Sequence, residues 1–215
     1  MHVGVVFLGT DYLKVKKFTD QLLFNTTRIE VYKDDKLESC GTGFVYAHVV
    51  EGKGQVEFLV TNKHLFPKNK RNSSYTTRVY FHMGEPERNL AFFSIGSESV
   101  GKTIKIPLAG VPFYDHPSEN VDITAIEVGQ YLHLWDEKGS VPAFYKTFPS
   151  IMVPDESKYS ELFEAVESVL VVGYPYAFID LLHNVPIIRK GITATPVYLN
   201  FTYPKMSEYD QEIFL

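Results

Sequence analysis

With 215 residues, 45% hydrophobic and 22% charged, the chain is long enough for one or two domains and has the composition of a globular protein with a sizeable core. Its formal net charge of -5 leaves no basic surplus for nucleic acid or an anionic membrane, so neither is expected as a partner. The single cysteine, Cys40, rules out an intrachain disulfide and a cysteine-based metal site, and it fits a reducing compartment.

The opening MHVGVVFLGTDYLKVKKF has a short apolar run with no basic segment ahead of it, which makes a poor signal peptide. No stretch approaches the ~20 apolar residues of a membrane span. The expectation is a cytoplasmic protein, in which the sequons at Asn25, Asn72 and Asn200 are chance matches. Residues 1–23 fit no clear period and read as an arm against the fold, with a turn or two of helix between Lys14 and Leu23.

From Thr26 the pattern becomes β. Thr27–Tyr32 alternates polar and apolar, Lys33–Lys36 is a polar turn, and Thr42–Val50 is a second strand. Glu51–Gly54 is a hairpin turn whose glycines tolerate positive φ. Gln55–Thr61 is a third strand, with Val56, Phe58 and Val60 on one face, and it delivers His64 just past its end. Lys68–Ser74, including the cations up to Arg71, reads as a solvated loop. Thr77–Met83, Asn89–Ile95 and Thr103–Leu108 are further strands. Phe113–Asn120 is a loop, and Asp122–Val128 is a buried strand that starts with an acid. Short strands with turn punctuation and almost no helix signal predict a small closed barrel or sandwich over residues 24–130.

Residues Gly129–Pro154 lose the period and carry Pro142, Pro149 and Pro154, as suits a crossing between two subdomains. Ser157–Val166 is the best helix of the chain, with Leu162, Phe163 and Val166 near one face. Strands return at Ser168–Gly173 and Ile187–Thr195, with a turn at Tyr174-Pro175. Gln211–Leu215 reads as the first half of one more strand. The fold class expected is all-β.

Three pieces together resemble the trypsin-like, chymotrypsin-fold serine peptidases of the cysteine-poor bacterial type. Gly41-Thr42-Gly43-Phe44 with Leu59-Val60-Thr61-Asn62-Lys63-His64 is similar to that family's histidine block. Val121-Asp122-Ile123-Thr124-Ala125-Ile126 is similar to its aspartate block. Val172-Gly173-Tyr174-Pro175 with Pro186-Ile187-Ile188-Arg189-Lys190-Gly191-Ile192 is similar to the opening of its second barrel. The resemblance implies two β-barrels with the active site in the crevice between them. Residues 24–130 would form the complete first barrel, 131–167 the crossing with its short helix, and 168–215 part of the second. It implies His64 as general base and Asp122 as the acid that orients it, a peptide or protein as substrate, and neither cofactor nor metal.

The family's nucleophile sits in a Gly-x-Ser-Gly turn of the second barrel, and no such turn occurs between Gly173 and Leu215. Ser207 follows Lys205-Met206 without the glycines, and Gly96-Ser97-Glu98-Ser99 lies between the histidine and the aspartate. Two functional readings follow. One is a serine endopeptidase represented by a stretch that lacks the serine. The alternative is a catalytically inactive peptidase-like module that binds peptides or a partner protein. A third reading, an unrelated β-sandwich with chance matches, places His64 and Asp122 apart.

The remaining candidates read as structural. Cys40 is a small buried strand residue. His2, His48, His82, His116, His133 and His183 show no ligand spacing. Gly96–Gly101 is followed by no helix and cannot cradle a phosphate. Arg189 and Lys190 read as solvent-facing.

Overall fold

A computed structural model describes residues 18–83, 102–133, 143–175 and 185–197. By their contacts they fall into two compact units. One is drawn from residues up to Met152 together with Val172–Ile188, the other from Val153–Val171 and the residues from Arg189 onward.

In the first unit, helix α1 (Phe18–Asn25) feeds strand β1 (Thr26–Lys33), which turns into β2 (Lys36–Val50). The turn residues Asp34 and Asp35 have φ of 46° and 62°. Aspartate tolerates this left-handed region because its short side chain bonds locally, and a two-residue hairpin needs it to match the strands' twist. β3 (Gly54–Thr61) follows across a turn in which Gly52 and Gly54 also have positive φ. Then come β4 (Tyr75–Met83), β5 (Lys102–Pro107), β6 (Phe113–Asp115), β7 (Thr124–Glu127), the short helix α2 (Gly129–His133), β8 (Ala143–Phe144) and β9 (Phe148–Pro149).

The sheet runs in the order β5-β4-β1-β2-β3-β7-β6, with β8 added to β4 and β9 to β2. Within this sheet the β2–β9 pairing is parallel and the others are antiparallel. The sheet curls into a half-barrel, and among the described residues its ladder is open between β5 and β6. The protein is thus mostly β, as expected.

Alternate residues of every long strand point into the curl. Ile29 and Val31 of β1, Val45 and Ala47 of β2, Leu59 of β3, Val79 and Phe81 of β4, Ile104 and Ile106 of β5, and Ile126 of β7 are all buried. This is the period of two that the sequence shows. On β3 the period favours one face and burial takes the other. Val56, Phe58 and Val60 share a face, but it is the half-buried one, and Glu57, Leu59 and Thr61 point inward. Glu57 stays satisfied there by the Tyr145 hydroxyl at 2.9 Å and the Gln55 amide at 3.0 Å.

Two expectations need correction. Phe113–Asn120 is not wholly loop: Phe113–Asp115 is β6, paired antiparallel with β7 through Phe113↔Ile126 and Asp115↔Thr124. Three residues are too few to show a period. The helix expected over Ser157–Val166, in the second unit, is a 3-10 turn at Glu156–Lys158 followed by one α-helical turn, α3 (Tyr159–Leu162). Phe163 is already extended, with φ -119° and ψ 136°. The next backbone donors are taken elsewhere: Glu164 N–H by the Glu167 carboxylate at 2.7 Å, and Glu167 N–H by the Thr193 hydroxyl at 2.9 Å. With those donors engaged the chain leaves the helix for the hairpin of β10 (Ser168–Gly173) and β11 (Ile187–Ile192). The expected strands at Asn89–Ile95 and Gln211–Leu215, and the turn at Gly96–Gly101, lie outside the described residues.

Gly41 and Gly43 of β2 lie where neighbours need the space. A Cβ on Gly43 would meet Ile29 Cδ1 at 2.5 Å and Leu59 Cδ1 at 2.9 Å, and one on Gly41 would collide with both methyls of buried Leu65. Gly41→Val is therefore expected to lower stability by about 1–3 kcal/mol through overpacking. Urea unfolding measures this, and an unchanged midpoint would show that Leu65 yields without cost.

Candidate functional site

β3 ends at Thr61, whose buried hydroxyl donates to the Thr42 carbonyl at 2.7 Å. The chain then makes a single 3-10 turn, Lys63–Leu65, closed by Leu65 N–H to Asn62 O and Phe66 N–H to Lys63 O. Leu65 and Phe66 are buried in the core, and that burial turns the preceding residue, His64, outward. Thr61 pairs with Thr124, the first residue of β7. Asp122 lies two residues before that rung, so it arrives beside the turn that carries His64.

The two side chains meet. His64 Nδ1 is 2.5 Å from Asp122 Oδ2, and the His64 backbone N–H donates to Asp122 Oδ1 at 3.0 Å. The flanking residues bind the same loop. The Asn62 amide donates to the Asp122 carbonyl at 3.0 Å, and Lys63 Nζ to the carbonyls of His116 and Ser118 at 2.8 Å each. The His64 and Asp122 side chains are 68% and 47% exposed, so the pair stands at the surface within reach of an incoming molecule.

Partial desolvation works to raise the Asp122 pKa, but hydrogen bonds from the His64 ring and backbone, with the His64 charge and a further contribution from the Lys63 backbone, outweigh it and hold the carboxyl below its ordinary 3.8. Asp122 is therefore ionised at neutral pH and can only accept. The shared proton is assigned to Nδ1, which leaves Nε2 of the neutral ring with a free lone pair. No side chain among the described residues hydrogen-bonds Nε2.

The Lys68–Ser74 segment differs from the solvated loop expected of it. Arg71 donates from Nε to the Phe66 carbonyl at 2.8 Å and forks onto the Asp115 carboxylate at 3.0 and 2.8 Å. Its guanidinium lies 4.2 Å from the Phe113 ring centroid, and Lys70 pairs with Glu38 at 3.0 Å. Sequence reasoning missed Arg71 because its partners lie as far as 44 residues away and carry no local signal.

The other candidates stay apart from this site or serve local structure. His116 Nδ1 accepts from Ser118 N–H at 3.2 Å, and His82 stands edge-on to Phe24. Cys40 is half-buried on β2, opposite Glu30 of β1. Arg189 and Lys190 are exposed. Ser97, Ser99 and Ser207 lie outside the described residues. No group of three His, Cys, Asp or Glu that could hold a metal occurs among the described residues. Comparison with protein-family models, with curated proteins and with solved structures gave no match.

Because most of the interactions that lower the Asp122 pKa come from His64, with a smaller one from the Lys63 backbone, the carboxyl is expected to titrate below 3.8 and to move back up in His64→Ala. The stabilisation it gives is present above its unfolded pKa and is lost as pH falls through the lower folded value. Carbon NMR of the Asp122 carboxyl against pH checks both, and a titration unmoved by His64→Ala would refute the assigned cause.

Proposed function

We propose that this chain carries the base and the orienting acid of a trypsin-like serine endopeptidase of two-barrel type, with residues 24–130 as its first barrel. The observation that carries the reading is the contact of His64 Nδ1 with Asp122 at 2.5 Å, seconded by the bond from the His64 backbone to the same carboxylate. In such a site Nε2 takes the proton of a hydroxyl as it attacks the peptide carbonyl, and the carboxylate stabilises the imidazolium that forms. The same imidazolium then returns the proton to the leaving amine. Asp122 holds the ring in the tautomer that leaves Nε2 basic. The reading requires a nucleophilic hydroxyl and an oxyanion-binding pair of N–H groups from outside the described residues.

One observation favours a second reading, a peptide-binding module without turnover: Nε2 has no described hydroxyl partner. Hydrolysis of an unfolded polypeptide, assayed on this chain together with the stretch that supplies the nucleophilic hydroxyl, separates the two. Under the peptidase reading His64→Ala abolishes turnover, and Asp122→Asn lowers kcat by about 10⁴, the cost recorded for that change in serine-protease triads. Turnover that persists in His64→Ala would end the peptidase reading. Peptide binding without any turnover would support the module.

A further inference from the structure

We propose that Arg71 is a positioning residue, a latch that fixes the turn carrying His64 against the strand leading to Asp122. The proposal deepens the reading of His64 and Asp122 as base and orienting acid and takes its functional meaning from it.

The pair cannot hold itself together. An ion pair between side chains as exposed as these is worth about 0–1 kcal/mol in water, less than the entropy of fixing two loops. A contact of 2.5 Å therefore needs the two segments to be set in place by something else. The bonds of Asn62 and Lys63 to the Asp122 loop are themselves exposed and weak. Arg71 is different. Its side chain is 16% exposed and that of its partner Asp115 is 28% exposed.

Together its bonds join one segment to the other. Nε holds the carbonyl of Phe66, two residues after His64, and the guanidinium fork holds Asp115, the last residue of β6. Asp115 is paired with Thr124, and the next residue, His116, donates its N–H to the Ile123 carbonyl at 2.9 Å. Asp115 thus stands at the foot of the loop that presents Asp122. Beneath the bonds, Phe66 and Phe113 pack with ring centroids 5.7 Å apart, and the guanidinium lies against Phe113. The Arg71 hydrogen bonds are the main reason Asp115 keeps its charge at low pH. A bidentate fork fixes direction as well as distance, which a lysine in the same place cannot do.

The test is the tautomer of the neutral His64 ring, read from its imidazole ¹⁵N shifts in the full chain. Free histidine prefers the proton on Nε2, whereas the contact with Asp122 holds it on Nδ1. Wild type and Lys70→Ala, which breaks the neighbouring pair with Glu38 and the contact with the Tyr75 ring but leaves the Arg71 bonds, are expected to show the Nδ1–H form. Arg71→Lys keeps the charge and loses the fork, and it is expected to shift the ring toward the Nε2–H form. Asp115→Asn should do the same, with cooperative unfolding retained in both. An Arg71→Lys ring identical to wild type would overturn the proposal, as would a wild type already in the Nε2–H form. If turnover is present, Arg71→Lys should lower kcat about 10²-fold with little change in KM, the cost of a displacement of about 1 Å. A protein without turnover whose ring responds to Arg71→Lys would sink the peptidase reading and keep the latch. Turnover beside an unresponsive ring would do the reverse.

Discussion

The pairing register of β3 with β7 is the constraint on which the site depends. In an antiparallel pair the end of one strand lies beside the start of the other, and here Thr61 meets Thr124 across the last rung. His64 lies three residues beyond that rung on one side, and Asp122 two residues before it on the other. A slip of one residue would move the loop by about 3.3 Å and turn every side chain of β7 over. Asp122 would then lose both bonds to His64. The register resists this because Leu59 and Ile126, paired on the inner face, are both fully buried, as is Thr124. A slip would expose Ile126 and drive a neighbour of opposite pattern into the core.

Within that register, packing orders the site and the site adds little in return. Leu65 and Phe66 are buried on the C-terminal side of His64, and burying each is worth about 1.5–3 kcal/mol. Gly41 makes the first of these possible, because any side chain there would occupy the place of the Leu65 methyls. Thr42, between the two glycines, has its carbonyl bonded by Thr61 and its hydroxyl bonded by the Tyr174 N–H at 2.8 Å. The Gly-Thr-Gly run is thus a seat for the histidine turn on one side and for Gly173-Tyr174 on the other. Gly173 has its own reason to lack a side chain, since a Cβ would meet Thr42 Oγ1 at 2.8 Å.

The sequence made the strands legible wherever one face was apolar and the other was not, as in Thr27–Tyr32 and Thr77–Met83. It was misleading on β3, whose more apolar face, Val56, Phe58 and Val60, is the half-buried one, and it was silent on β6, which is too short to carry a period. The helix signal of Ser157–Val166 was genuine but local, and the donors of Glu164 and Glu167 found tertiary partners that ended it. His64 and Asp122 could be singled out by their order and by the motifs around them. Their contact could not be derived from any window of the chain, because it is made by a strand pairing between segments 58 residues apart. Arg71 shows the same limit from the other side: in sequence it is one cation among several, and only the fold brings Asp115 and the Phe66 carbonyl to it.

Two acids of this unit show how environment separates a structural carboxylate from one free to act. Glu30 is 6% exposed on the outer face of β1, and its oxygens are saturated. Arg28 donates to Oε1 from Nε at 3.0 Å and from Nη2 at 2.6 Å, while the hydroxyls of Tyr32 and Tyr80 donate to Oε2. Burial works to raise its pKa, but these four bonds lower it, and Tyr32 and Tyr80 are raised in turn by burial and by the carboxylate they face. Such a group is locked: moving a proton onto it would break bonds in a place that water cannot repair. Asp122 has the opposite character. Its carboxylate bonds come mainly from a single residue, and it is half open to water, so a change in the charge of His64 is felt there directly and can be relaxed by solvent. A carboxylate whose one side-chain partner is an imidazole is suited to steady that imidazole through a cycle of proton gain and loss.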